Sequence, residues 1–287
     1  MGLFLMTYLN LYEIEKDSYY LKKIEYISNW LINNSNRNYK GLSWGYPFNW
    51  NSVIYIPKNT PSSIASVTIG EAFLRIYNTT KNEKYLSYAQ EISKFLLSEL
   101  NIFYKNENEL CFSYTPLDEF QVHNINLLNS AFLLELGDVL KDEKLMDYGK
   151  KAANFSISEQ NEDGSIYYWS RVQNKYNPNH LDIYHSGFEI RSLHRIQRVL
   201  NESRYEKAFE QYKKFYLRNY FEKGQIKIRP DTIYPIDIHG CAEAINCISS
   251  IDENKEYKNY ADMALEFTLK NLFYKGQFIY KIIKKGK

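Results

Sequence analysis

Residues 122–155 read VHNINLLNSAFLLELGDVLKDEKLMDYGKKAANF, and one whole structural unit is visible in them. The first half sets Ile125, Leu127, Leu128, Ala131, Phe132, Leu133 and Leu134 almost all the way round a helical projection. A helix that is apolar on every side is buried on every side. After a break near Lys141-Asp142-Glu143, a second helix starts at Lys144-Leu145-Met146 and runs to Phe155.

The same layout recurs on both sides of this stretch. Upstream, Ile64-Ala65-Ser66 leads through Ala72-Phe73-Leu74 to a break at residues 78–83, and a second helix follows from Lys84 to Leu97. That second helix is amphipathic, with Tyr85, Tyr88, Ala89, Ile92, Phe95 and Leu96 at steps of three and four. Downstream, further units begin at Ile183-Tyr184-His185 and Ile238-His239-Gly240, with breaks at Asn201-Glu202-Ser203 and Asp252-Glu253-Asn254. A partial copy opens the chain, Leu9 to Tyr12 followed by Asp17 to Leu21. The anchor positions Tyr20, Tyr85, Leu145, Tyr205 and Tyr257 lie 65, 60, 60 and 52 residues apart, too far for tetratricopeptide or ankyrin repeats.

One buried and one amphipathic helix per unit is what a double ring of helices demands. The links between units are long, and two of them carry alternating runs, residues 165–169 and 225–228, that read as extended segments or hairpins. The expected fold is therefore all-α: an α/α toroid of about five helical hairpins, an incomplete six-hairpin barrel, with short β-hairpins in the links. The whole chain, residues 1–287, is read as one toroid domain, with an open α-solenoid as the runner-up. The first inner helix begins at about Met1, and after Gly276 the sequence turns to a short, basic, strand-like stretch. A closed ring of six hairpins needs more chain than this.

Composition narrows the function classes. The 36 basic and 34 acidic residues of the 287 are interspersed, so no basic stripe for nucleic acid is expected outside the Lys281 to Lys287 tail. No apolar run approaches 18 residues, and no transmembrane span is expected. Cys111, Cys241 and Cys247 have neither disulfide nor zinc-ribbon spacing, and with no leader-like segment at Met1 they suit a reduced, cytoplasmic setting. Aromatic residues reach 16%, including 27 tyrosines, which suits either half-buried helix packing or sugar-binding clefts.

The distinctive polar residues gather where the buried helices begin. His123-Asn124 opens one such helix, Asp182-Ile183-Tyr184-His185-Ser186 another, and Asp237-Ile238-His239 a third, so three of the five histidines stand at equivalent positions. Asp182, Asp237, Ser62, Ser63 and Asn124 read equally as helix N-caps. His180 and His194 have no counterparts in the other units and read as structural or surface residues. Aromatic residues cluster in two links: Trp44, Tyr46, Phe48 and Trp50 in one, and Tyr167, Tyr168 and Trp169 just after Asp163-Gly164 in the other. Flat rings flanked by Asn and Asp can stack on pyranose faces and bind hydroxyls. His123, His185, His239, Asp182 and Asp237 could in principle converge on zinc or iron, but no H-x-x-x-H or H-E-x-x-H spacing supports it. Acid–base work is the commoner use of such a set, and neither metal nor cofactor is expected.

The strings Trp44-Gly45-Tyr46-Pro47-Phe48-Asn49-Trp50, Pro57 to Pro61, His123-Asn124, Asp182 to Phe188 and Tyr234-Pro235-Ile236-Asp237-Ile238-His239 resemble proteins of surface-polysaccharide biosynthesis clusters, of the six-hairpin glycosidase-like class. The resemblance covers roughly residues 40 to 275. A more distant similarity is to the toroid domain of glucuronyl C5-epimerases, which carries an Asp-Tyr-His element. Asp182-Ile183-Tyr184-His185 departs from that element by one inserted residue.

The expected function is thus a carbohydrate-active protein that binds or processes a surface polysaccharide or its precursor, uronate-containing glycans among them, by acid–base chemistry of the epimerase, lyase or glycosidase type. A non-catalytic glycan-binding or scaffold toroid is the alternative. His185, His239, Asp182 and Asp237 are the expected catalytic groups, and Tyr184 joins them by the C5-epimerase resemblance. Trp44, Tyr46, Trp50, His123, Asn124, Asp163, Tyr168 and Glu189 are the expected substrate-binding set.

Overall fold

The computed structural model describes residues 1–252 and 255–283. The last two residues of the expected break at residues 252–254, and the end of the basic tail at residues 284–287, lie outside the described residues. The chain divides into two compact units, Met1–Ala152 and Ala153–Lys287.

The first unit contains α1 (Gly2–Glu15), α2 (Ser18–Asn33), α3 (Ser63–Thr80), α4 (Glu83–Glu99), α5 (His123–Leu140) and the larger part of α6 (Glu143–Ser158). Helix α3 packs on α1, α4 and α5, so α1, α3 and α5 form an inner row with their hairpin partners outside it. Burial follows the sequence pattern: fourteen of the eighteen residues of α5 are buried, whereas α4 buries the stripe Tyr85, Leu86, Ala89, Ile92, Ser93, Phe95 and Leu96. The inner helices approach so closely that a Cβ on Gly70 of α3 would stand 2.8 Å from the Phe132 ring of α5.

Each inner helix turns into its outer partner through one repeated device. The inner helix stops at a left-handed residue, Lys16, Lys81 or Lys141, with φ of 56°, 56° and 55°. The next residue, Asp17, Asn82 or Asp142, accepts the backbone N–H of Tyr19, Lys84 or Lys144 at 2.8, 3.2 and 2.9 Å. A short polar side chain thus satisfies an otherwise orphaned donor of the new helix. Two hairpins fill the links, β1 (Trp50–Asn51) with β2 (Tyr55–Ile56) and β3 (Ile102–Asn106) with β4 (Glu109–Phe112).

The second unit repeats the scheme with α7 (Ile183–Leu200), α8 (Ser203–Tyr220), α9 (Ile238–Ile251) and α10 (Lys258–Leu272). Helix α7 packs on both α8 and α9, and α9 on α10. Arg191 of α7 clamps Glu243 of α9 with two bonds of 2.7 and 3.1 Å. The Asn201 turn has the same left-handed geometry, φ 49°. Strands β5 (Phe221–Glu222) and β6 (Gln225–Ile226) pair across Lys223-Gly224, where φ is 50° and 77°. The hairpin of β8 (Phe273–Tyr274) and β9 (Gln277–Phe278) repeats this with 49° and 79°. Positive φ at both central residues belongs to the type I′ turn, whose twist matches that of the flanking strands. β7 (Ile236–Asp237) pairs with β10 (Lys281–Ile282).

The expected extended run at residues 165–169 forms no strand. Its backbone groups bond to neighbouring turns and links instead: the Asn161 N–H donates to Ser165 O at 2.8 Å, and the Tyr168 N–H donates to His180 O at 3.0 Å. Much of the tyrosine excess is packing. Tyr205, Tyr212, Tyr216 and Tyr220 along α8 are wholly buried, and their hydroxyls find partners such as Asn154, Glu189 and Ser186.

One buried amide ties the elements of the first unit together. Asn126 of α5 accepts from Phe112 N at 3.1 Å and donates to Leu110 O and Ala152 O at 3.3 and 2.8 Å. Asn126→Ala strands these groups away from water, and a loss of about 3 kcal/mol is expected, read as a lower midpoint in urea denaturation. An unchanged midpoint would show that the hairpin and both helices hold without it.

Candidate functional site in the second unit

The second unit holds a cleft of about 550 Å³, lined by His180, Asp182, Tyr184, His185, Ile228, Arg229, Thr232, Tyr234, Pro235, Asp237 and His239. This volume falls among those of small-molecule sites, about 300–1,000 Å³. Its walls are the link before α7, the N-terminal turn of α7, the link from β6 to β7, and the start of α9.

Asp182 organises one wall. It is the N-cap of α7 and accepts the His185 backbone N–H through Oδ1 at 2.8 Å. Its other oxygen, Oδ2, stands 2.6 Å from His185 Nδ1 and 2.6 Å from His180 Nε2. Burial disfavours the Asp182 charge, but hydrogen bonds from both rings and from the His185 backbone outweigh it and hold the carboxyl well below the usual carboxylate range. An ionised carboxylate can only accept, so both imidazole nitrogens facing it carry protons. Neutral His185 then keeps its lone pair on Nε2, the electronic state of a general base. Tyr168 packs T-shaped on the His185 ring at 4.7 Å, and its backbone N–H donates to His180 O at 3.0 Å.

The second wall is looser. Asp237 caps α9, accepting the His239 N–H at 2.8 Å, and its Oδ2 lies 3.6 Å from Lys281 Nζ. The His239 side chain is 63% exposed, with Nδ1 3.5 Å from Asp237. The Tyr184 ring lies between the two imidazoles, 5.1 Å from His185 and 6.1 Å from His239. The five expected catalytic residues, His185, His239, Asp182, Asp237 and Tyr184, therefore line one cleft, and the capping reading of the two aspartates holds at the same time.

The expected binding residues are distributed differently. Glu189 does not line the cleft. It is 1% exposed on α7 and accepts a hydrogen bond from Tyr212; burial raises its carboxyl well above the ordinary range. Asp163 caps its own turn, accepting Ser165 N and Oγ at 2.9 and 2.7 Å, away from the cleft lining. In the first unit, Trp44 is a core residue, 7% exposed, with its indole N–H donated to Leu31 O at 2.9 Å. Its indole packs inward because that carbonyl, near the end of α2, accepts its one donor. Tyr46 stacks on Phe48 at 5.3 Å, and Trp50 lies against Tyr114 at 5.4 Å. His123 and Asn124 are buried at the start of α5, where Val122 rather than Asn124 is the N-cap residue.

The other six lining residues were not among the expected site residues, and two of them, His180 and Arg229, carry basic side chains. His180 does have a counterpart signal: His180-Leu181-Asp182 places two polar side chains two residues apart, and alternation in an extended link puts both on one face. His180, Asp182 and His185 are also the residues that could hold a metal ion, since one ligating atom from each lies within 4.8 Å of the others. An ion there would have to replace the two imidazole–carboxylate hydrogen bonds.

No protein-family model and no curated protein matches the chain. Solved structures do match. A D-mannose isomerase is similar with a TM-score of 0.69 at 13% identity, covering 99% of this chain and 78% of that one. A cellobiose 2-epimerase from Bacillus thermoamylovorans gives 0.70 at 14% identity over 98% and 78%. A GH76 α-mannanase from Bacteroides thetaiotaomicron gives 0.70 at 14% over 98% and 77%. At such identities the likeness is one of fold, and the chain has the α/α-toroid fold that its helical repeat predicts.

Because the Asp182 carboxyl titrates far lower folded than at its unfolded value of about 3.9, its stabilisation is complete above that value and drains away as pH falls through it. The Asp182→Asn protein is expected to be less stable than the wild type at pH 7, with the gap narrowing between about pH 4 and pH 2. Urea denaturation at several pH values measures this, and a gap independent of pH would mean that the carboxylate charge contributes nothing.

Proposed function

We propose that this protein is a carbohydrate-processing enzyme that moves a proton on or off a sugar carbon in the cleft of its second unit. The observation that carries this reading is the Asp182 carboxylate shared between His180 and His185 on the cleft wall. That pairing fixes the His185 ring and its tautomer, leaving Nε2 without a hydrogen-bond partner among the described residues. In this scheme His185 Nε2 takes a proton from a carbon next to a carbonyl or carboxylate group, the imidazolium is stabilised by Asp182, and His239 across Tyr184 serves as the second acid–base group. Positioned acid–base groups of this kind contribute about 10²–10⁴ in rate.

The state of the two carboxylates favours proton transfer over glycoside hydrolysis. Hydrolysis by the usual route needs one carboxyl to donate a proton and a second to act as base or nucleophile. Asp182 is held ionised by two imidazoles, and Asp237 caps α9 beside Lys281. Epimerase or lyase chemistry uses the imidazoles instead. The fold is shared by a mannose isomerase, a cellobiose 2-epimerase and an α-mannanase alike, so the choice rests on the cleft residues.

The resemblance to surface-polysaccharide cluster proteins supplies the setting: the substrate is a surface glycan or its precursor. Cys111, Cys241 and Cys247 are buried and form no disulfide among the described residues, which accords with a reducing, cytoplasmic location. Incubating the protein with candidate sugars in D₂O and following carbon-bound deuterium by NMR tests the reading. Wild type is expected to exchange one sugar C–H, and His185→Ala to slow that exchange by about 10²–10⁴ while binding is kept. Equal exchange by both proteins, or none by the wild type with any sugar, sinks the proposal.

A further inference from the structure

The imidazole pair settles where a proton would go, and Arg229 bears on what makes the carbon acidic. Arg229 sits in the link from β6 to β7, and three backbone bonds fix that link. The Lys227 N–H donates to Tyr220 O at 2.9 Å. The Ile183 N–H donates to Ile228 O at 3.1 Å, which ties the residue before Arg229 to the residue after Asp182. Arg229 and Thr232 then exchange N–H···O bonds of 3.1 and 3.2 Å, closing a tight turn over Pro230-Asp231. The chain thus presents Arg229 to the cleft from a backbone braced against the His–Asp pair.

The guanidinium makes no hydrogen bond or ion pair with another described residue. The other charged groups of the lining have partners: Asp182 accepts hydrogen bonds from two imidazoles, and Asp237 lies beside Lys281. Arg229 is therefore a cation without a bonding partner among the described residues, in a cleft that is also lined by Ile228, Tyr184, Tyr234 and Pro235. A guanidinium is a planar fork of donors matched to two oxygens of one anionic group, carboxylate or phosphate.

We propose that Arg229 binds the carboxylate of the sugar and that the substrates are uronates. This rests on the proton-transfer reading and names its substrate class. The chemistry follows from the pairing. Nε2 of His185 takes the proton at C5, next to the carboxylate, and the electron pair of the C–H bond moves into a C5–C6 double bond. Negative charge then builds on both carboxylate oxygens, where the guanidinium stands. A proton returned to the opposite face of C5, from protonated His239, gives the epimer. Loss of the substituent at C4 with its bonding pair, protonated as it leaves, gives the unsaturated sugar. Neither outcome needs a further reactant.

The test is binding, read apart from turnover, by titration calorimetry. The ligands are an oligoglucuronate, the same oligosaccharide with its carboxylates reduced to alcohols, and a neutral-sugar phosphate. Wild type is expected to bind the oligouronate at least tenfold more tightly than its reduced form. Arg229→Gln is expected to erase that preference while leaving the weak binding of the reduced form unchanged, and Arg229→Lys to restore part of it. The side chain is exposed and unpaired, so both variants are expected to fold, with melting temperatures matching the wild type. Equal affinity for the two oligosaccharides overturns the proposal, as does a preference that survives Arg229→Gln. Tighter binding of the sugar phosphate reassigns Arg229 to phosphate and overturns the uronate assignment. If the uronate preference holds but no C–H exchange occurs in D₂O, the proton-transfer reading fails while the anion site stands.

Discussion

The Asp182 carboxylate works at three levels at once, and the candidate site depends on it. It closes the first turn of α7 by accepting the His185 N–H, which sets where that helix begins. It fixes His185 by its ring and reaches back two residues to fix His180. A buried charge is stable only when its acceptor sites are filled, and here the filling groups are the ones that face the cleft. The interaction that stabilises the carboxylate is therefore the same one that sets the tautomer of both imidazoles. Separating stability from chemistry at this position is not possible by any substitution that removes the charge.

The fold makes this arrangement cheap to build. Helices α7 and α9 each start directly from a link at a capping aspartate and pack side by side, so their N-terminal ends lie on the same side of the second unit. Residues at the start of each helix fall into neighbouring positions without any long-range chain crossing. The close fit of the two helices is enforced beneath the cleft by the Arg191–Glu243 clamp and by Gly187, where an added Cβ would stand 2.6 Å from the Glu243 side chain. Below the His–Asp pair, Ser186 meets Tyr220 and Glu189 meets Tyr212, so polar contacts continue from the cleft wall into the α7–α8 interface. These groups brace the wall from behind, and this explains why Glu189, placed by sequence among the binding residues, is a buried support.

The sequence was most informative where a pattern is local. All-round apolar helices alternating with amphipathic ones predict inner and outer rows, and α5, α7 and α9 begin at the residues His123, Ile183 and Ile238 where the apolar patterns begin. The inner-to-outer turns are legible for the same reason, since a left-handed residue and a capping side chain act within four residues of each other. Local pattern also misleads. Alternation at residues 165–169 predicts an extended segment or hairpin, but Ser165 O is taken by the Asn161 N–H and the Tyr168 N–H goes to His180 O, so no strand ladder forms there. The aromatic string around Trp44 predicts a sugar platform, yet one carbonyl at Leu31 is enough to turn that indole into the core while Tyr46 and Trp50 remain only half-buried.

By itself, then, the sequence determined the helical repeat, the class of fold and the grouping of polar residues at inner-helix starts, because each depends on periodicity or on neighbours a few residues apart. It also identified Asp182, His185, Asp237 and His239 as a set. Only the tertiary structure decided which of those groups are free to act and which are already engaged. It turned His180 from an unmatched structural or surface residue into the second partner of Asp182, and it brought Arg229, 47 residues beyond Asp182, to the same cleft through the Ile183–Ile228 hydrogen bond. Pairing of this kind is a property of distances between links. Those distances are set by how the helices pack, and no periodicity along the chain records them.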